Sequence, residues 1–512
     1  MKRIIHSFTF IVITLALLVV PACHDLLEEP AENRTFTEET DYTNFGNMRL
    51  PLIGIYSQLY NRGWENHPLI AVRGDDVNHG GLGDQQDFAE TDFFNYNKDY
   101  WMYNAVWQGF YSDVYVMLSA IDEFQLYKDN GADAATADQY IAEAKVIEGW
   151  LLFQLSRVWS DILIPTSPDP ADLLITEISP KEEVMQYISG RMDEAIPALP
   201  AVRPNQRTDV RGGVTRFTAI ALKALAQLEL ENYQGVADAT SQIITSGLFN
   251  LEPDFYNLFK IAGKLSNENI FEFQYSDFGL GSGDQRNHLW AFYGPQSWTP
   301  VREGASAGWG FFEPSLKWIK FMLDRGERTR LETSVLFTDR GIDALRSDPN
   351  YATIPGWISN TTPSGDVINN FARGMFSSGK HYLPSEQLTP GRTEYGTNKN
   401  FPVIRYAEIL LMHAEALTRG ATSSAMTADA AVNLVRERAG LNPVSGVTSE
   451  QVMDEKFAEL AMEWGIRYYD MIRLENFGEL SYDGRTFSAP GDIYLPYPQN
   501  QVDLLPVLRS EQ

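Results

Sequence analysis

The chain has 512 residues, 44% of them hydrophobic, which is enough for a sizeable core, and its 68 acids against 41 bases leave a net charge of −27. That balance excludes a nucleic-acid binder, because phosphate contacts from Lys and Arg supply most of such affinity. The 11 Trp, 24 Tyr and 28 Phe residues favour stacking on neutral ligands over charge-based recognition.

At the start, Lys2-Arg3 precede an apolar run from Phe8 to Val20, followed by Pro21-Ala22-Cys23. A basic head, an apolar core and a small residue form a secretory signal. The run is too short for a membrane-spanning helix, which needs about 20 apolar residues. Cys23 is the only cysteine, so it cannot form an internal disulfide, and a free thiol is a liability in an oxidising compartment. Acylation of its sulfur removes that liability. The arrangement resembles a bacterial lipobox in which Ala22 is the last residue removed. The sequence thus predicts a signal peptide over 1–22, a lipidated tether over 23–36 and a single tethered body over 37–512. One acyl chain holds a protein only marginally, so a stable anchor needs more than one.

Helical periodicity dominates up to about residue 247. Within Tyr140–Trp159, Ala144, Ile147, Leu151, Leu155 and Val158 recur at spacings of three and four. Pro180 precedes a second helix, Lys181–Ala195, with acids in its first turn. Thr215–Leu230 and Gln234–Ser246 form a helical hairpin whose alanines, from Ala219 to Ala226, allow close approach. Residues 248–400 are rich in Gly, Pro, Asn and aromatics, and only Pro314–Arg325 has clear helical periodicity. A long irregular stretch is functional or disordered, and its aromatic content argues for order. A second hairpin follows, Pro402–Arg419 with Thr427–Ala439. The expected fold class is mainly α, with a scaffold at 37–247 and 401–475 and a loop-rich insertion at 248–400. Alanine-rich hairpins of this length resemble tetratricopeptide units; a generic helical bundle packs in the same way.

Four segments carry a family resemblance. Phe401-Pro402-Val403-Ile404-Arg405-Tyr406-Ala407-Glu408, continuing to Ala414-Glu415-Ala416-Leu417, is the first. The second is Val435-Arg436-Glu437-Arg438-Ala439-Gly440-Leu441. Glu459-Leu460-Ala461 with Gly465-Ile466-Arg467-Tyr468-Tyr469-Asp470 is the third, and Tyr494-Leu495-Pro496-Tyr497-Pro498-Gln499 the fourth. With Cys23-His24-Asp25-Leu26-Leu27-Glu28-Glu29-Pro30 at the front, the chain resembles the SusD/RagB-like family of outer-membrane nutrient-binding lipoproteins over essentially its whole mature length. The resemblance implies a tetratricopeptide-like scaffold and lipid anchoring through Cys23 at the cell surface. It also implies non-catalytic binding of oligosaccharides and delivery to a partner SusC-like TonB-dependent transporter. Asp25, Glu28 and Glu29 are similar to the signal that sends such lipoproteins outward. A peptide-capturing member of the same family and a lid without its own ligand are the other readings it leaves.

Enzymatic readings are weaker. Glu459 and Glu463 lie one helical turn apart, a spacing that superficially suits a retaining glycosidase. Arg467, Asp470 and Arg473 continue the row, however, which reads as a structural ion-pair ladder joined by Arg405, Arg436 and Arg438. Ser377 and Lys380 have acyl-enzyme spacing without companion motifs. Gly279–Gly283 lacks the lysine of a phosphate loop. No zinc-type histidine pairing occurs. Asp75-Asp76-Val77-Asn78 offers oxygens that calcium could use but not a complete calcium loop. No cofactor, metal or catalytic residue is expected.

Two aromatic–polar regions carry the binding hypothesis. One runs from Trp64 to Trp101 and includes Arg73, Asp75, Asp76, Asn78, His79, Asp84 and Gln85; the other, from Trp290 to Trp309, includes Phe292, Tyr293, Trp298 and Arg302. A flat ring covers the apolar C–H face of a sugar while Asp, Asn, Gln and Arg bond its hydroxyl edge. The candidate ligand-binding residues are Asp75, Asp76, Asn78, Trp290, Tyr293, Trp298 and Trp309. The resemblance places Trp309 in the loop before the helix near Pro314. Trp107, Trp150, Trp159, Trp318 and Trp464 lie in helical patterns, which assigns them to the core.

Overall fold

A computed structural model describes residues 40–509 except 65, 81–84, 175, 278–285 and 391–395. Cys23 with the signal and tether, Asp84, and the glycine run 279–283 therefore lie outside the described residues.

The first half is a stack of antiparallel helices, Trp101–Asp129, Ala134–Trp159, Lys181–Ala195, Arg216–Glu229 and Tyr233–Thr245, each packed on the next. Helix starts follow the local chemistry. Asp133 accepts from Thr136 N, and Asn232 from Gly235 N, each satisfying an amide that the first turn leaves unpaired. Gly149 sits where the second and third helices meet; a Cβ there would lie 2.8 Å from the Met192 methyl. Ala219, Ala221, Ala224 and Ala226 are all buried, as a thin helix between neighbours requires.

The stack continues across the insertion. Tyr233–Thr245 packs on Tyr406–Thr418, which packs on Ala428–Arg438 and Ser449–Leu460. The chain thus leaves the stack after Thr245 and rejoins it at Tyr406. Strand Asn269–Phe273 pairs antiparallel with Phe401–Arg405 at this junction, tying both sides together. The sequence pattern had Pro402–Arg405 inside the helix. The run Phe401 to Ile404 instead forms a fully buried strand, and the helix begins at Tyr406. The fold is mainly α and tetratricopeptide-like, with only two-stranded sheets among the described residues.

The insertion is ordered by aromatic packing. Besides Leu316–Asp324 it holds Thr329–Ser334 and Asp339–Arg346, helices too short for periodicity to reveal. Strand Val77–His79 from the first half pairs with Phe312–Pro314 of the insertion, so the two regions share a sheet. One hydrophobic cluster runs from Met48 to Leu508, and a satellite gathers Trp290, Trp298, Leu336, Ile368 and Tyr382. Trp107, Trp150, Trp159, Trp318 and Trp464 are all buried, as their patterns predicted. Among the described residues no helix is long and apolar enough to cross a membrane.

Candidate functional site

Most of the residues singled out for ligand binding belong to the interior. Asp75 is fully buried; its carboxylate accepts from Arg467 Nε at 2.7 Å and pairs with Lys317 Nζ at 2.7 Å. Burial pushes that carboxyl up, but Arg467 and Lys317 outweigh it and hold it below the usual carboxylate range. Asp76 accepts from Met462 N at 2.6 Å, and burial raises its carboxyl to about 6. Asn78 accepts from Arg485 at 2.8 Å and Tyr482 at 3.0 Å within the sheet. These three carry oxygens that the chain itself uses, so the expectation that they line an open loop does not fit their surroundings. Trp290 and Trp298 pack on each other, 5.3 Å between ring centroids, in the satellite cluster. Tyr293 stacks on His381 at 3.9 Å with no exposure. These rings are spent on packing.

Trp309 is different, and its placement follows from the backbone around it. Residues 308–311 run along 291–295: Trp309 N donates to Ala291 O at 2.6 Å, Gly310 N to Gly294 O at 2.9 Å and Phe311 N to Phe292 O at 2.9 Å. Glycines on both sides permit this approach. Gly310 has φ +69°, and a Cβ there would meet the Phe371 ring at 2.7 Å; one at Gly308 would meet Gly294 O at 2.5 Å. The indole is then braced edge-to-face by Phe292 at 5.3 Å and Trp64 at 5.6 Å, so its orientation is fixed by packing.

Beside it opens a depression of about 380 Å³ lined by Gln85, Gln296, Gly308, Trp309, Phe311 and Arg373. The Arg373 guanidinium carbon lies 4.5 Å from the Phe311 ring centroid. Only Trp309 and Gln85 of this set were foreshadowed. Gln296, Phe311 and Arg373 come from loops with no periodic pattern; the Gly-Trp-Gly run 308–310 is the one sequence signal that marks a close backbone approach here. Chemically the wall offers an indole, a phenyl ring, two carboxamides and a guanidinium, which suits a ligand with an apolar face and a hydroxyl edge. Among the described residues its lining includes no carboxylate.

The paired carboxylates lie elsewhere. Arg405 donates to Glu463 Oε2 at 2.8 Å and Glu459 Oε1 at 2.9 Å, with Glu268 also on its fork. Lys380 reaches Glu463 at 2.8 Å. Burial pushes the Glu459 carboxyl up, but Arg438, Arg405 and Arg330 outweigh it and hold it at about 2. An acid locked in its ionised form cannot donate a proton to a leaving group. The expected i,i+4 ladder is also interrupted. The helix Ser449–Leu460 stops, Met462 and Gly465 take positive φ, and a new helix runs Ile466–Arg473. Arg467 consequently serves Asp75 rather than Glu463. Ser377 and Lys380 are buried as well.

The SusD family model matches residues 267–510. Curated relatives include a SusD-like protein of Bacteroides ovatus, 22% identical over 99% of this chain and 98% of that protein. SusD-like protein P2 of Formosa agariphila is 25% identical, covering 96% of each. Among solved structures, a laminarin-binding SusD-like protein superposes with a TM-score of 0.74 at 22% identity, over 90% of this chain and 97% of that one. Surface glycan-binding protein A from Bacteroides thetaiotaomicron, solved with laminarihexaose, gives 0.73 at 22% identity with the same coverage. These two share the fold.

Proposed function

Because the chain is a SusD/RagB-like family member, we propose that it is a cell-surface lipoprotein of the outer membrane that captures oligosaccharides non-covalently and delivers them to a SusC-like TonB-dependent transporter. In this reading Cys23 carries the lipid, residues 23–36 form the tether, and the body from 37 onward moves as one unit over its transporter. Capture takes place at the Trp309 depression, and no covalent step is involved.

The observation that carries the reading is the depression itself. An indole fixed by three aromatic neighbours stands beside two carboxamides and a guanidinium in about 380 Å³. A pyranose ring stacked on Trp309 would bury its C–H face there. Gln85 and Gln296 can then both donate to and accept from its hydroxyls. Laminarin and laminarihexaose, named for two structural neighbours, make β-glucans the first probes. Affinity electrophoresis and calorimetry against soluble glycans test the proposal. Saturable binding to at least one glycan that Trp309→Ala weakens supports it. Binding to peptides and to no glycan overturns it.

A further inference from the structure

Strand Phe312–Pro314 follows directly on the wall of the depression and places a buried carboxylate behind it. Glu313 Oε2 accepts from Met375 N at 2.6 Å and Phe376 N at 2.8 Å. Those two amides follow Arg373, whose side chain lies over Phe311. The segment 370–376 is held at other points too. Arg340 donates to Gly374 O, and Arg340 N to Asn370 Oδ1 at 2.9 Å. Space is tight throughout: a Cβ on Gly374 would meet Glu313 Oε2 at 3.0 Å, and one on Gly80 would meet Arg373 O at 2.7 Å. Arg340 thus puts its positive charge on Gly374 O, while Glu313 puts a carboxylate on the two amides that follow. A carboxylate accepting two amides is a stronger hold than a neutral acceptor.

We propose that Glu313 is the positioning residue of the Trp309 depression, clamping the backbone at Met375 and Phe376 so that Arg373 is held in the binding wall. It touches no ligand and acts through Arg373. The proposal deepens the glycan-binding reading and rests on it for its consequence, though not for its geometry.

The clamp depends on the charge of Glu313. Burial pushes its carboxyl up to about 7, against the two amides and Arg340, which pull it down, and with Asp483, which pushes it further up. Across the strand pair, Asn78 bonds Arg485, and Asp92 accepts from Arg485 and from His79 N. Asp92 is likewise raised to about 7. In a local opening that leaves Glu313 buried, loss of the two amides raises its carboxyl further, so the clamp loosens as Glu313 is protonated and tightens as it ionises. Because Asp92 titrates in the same range, the pH effect must be assigned by a variant at Glu313.

Amide hydrogen exchange of the full chain from pH 6 to pH 8.5, resolved to Met375 and Phe376, tests this without any ligand. After correction for intrinsic exchange, wild-type protection is expected to rise about tenfold across the range, and Glu313→Gln to show lower protection without the step. Flat protection in wild type, or the same step in Glu313→Gln, overturns the proposal. Should that variant fail to fold, Asp92→Asn takes its place: the step at 375–376 must persist in it, and loss of the step there overturns the proposal. Calorimetry with laminarihexaose adds the consequence. Affinity that rises with pH in wild type and not in Glu313→Gln supports it. No heat with laminarihexaose, alongside a protection step that Glu313→Gln removes, supports the clamp and counts against β-glucan binding.

Discussion

Arginines serve opposite purposes in two regions of this protein. Beneath the C-terminal motifs, Arg405 is 1% exposed and divides its fork among Glu268, Glu459 and Glu463. At the Trp309 depression, Arg373 lies half-buried over Phe311, facing open volume. The first arrangement consumes its charges internally and holds together segments far apart in sequence. The second sets a guanidinium and a ring in the wall of a depression. The segments that make the chain recognisable thus lie largely in the fold-holding region, while the proposed binding surface lies in irregular chain outside those segments.

The sharpest way to break this contrast is to remove one buried cation. Arg405→Ala leaves three buried carboxylates short of a partner, and the expected loss is about 3–5 kcal/mol in urea unfolding. A loss under about 1 kcal/mol would mean that the cluster does not hold the fold. Trp309→Ala should do the reverse. Glycan affinity is expected to fall about tenfold or more, with unfolding free energy changed far less than by Arg405→Ala.

The two regions also differ in what a sequence shows. The helical stack was legible because Ala and Leu recur at fixed spacing, as in Arg216–Glu229 and Ala428–Arg438. The acid–base row from Glu459 to Arg473 looked like one helix because spacing alone cannot register the positive φ of Met462. Asp75 and Asp76 looked available because their partners, Arg467, Lys317 and Met462, are hundreds of residues away. Tryptophans in the insertion could not be sorted by pattern. Trp290 and Trp309 stand in similar local composition, and tertiary packing alone buries the first and leaves the second at the depression. Arg373 had no local signal at all.

Titration offers a third test. Burial raises Asp76 to about 6, and Asp92 and Glu408 to about 7. A carboxyl raised in the folded state stabilises it while protonated, and that advantage is lost as pH rises from the unfolded value through the folded one. Glu459, held at about 2, works in the opposite sense and loses its contribution as pH falls below about 4.5. Glu408→Gln should therefore gain Tm relative to wild type as pH rises from 5.5 to 8, and wild type should lose Tm below pH 4. A Tm difference between Glu408→Gln and wild type that stays constant from pH 5.5 to pH 8 would show that this buried carboxyl is ionised at little cost.

The smallest expected effect concerns the rings assigned to packing. Trp290→Phe should change glycan affinity less than about twofold while lowering stability by about 1–3 kcal/mol. A large affinity loss in this variant would extend the binding surface into the satellite cluster.

Calorimetric titration of the soluble glycan panel into wild type and Trp309→Ala, side by side, tests the central claim most directly. The expected result is saturable binding of one glycan class by wild type and marked loss of affinity in Trp309→Ala, with both proteins equally folded. Equal affinity in the two proteins would contradict it and move capture away from the Trp309 depression.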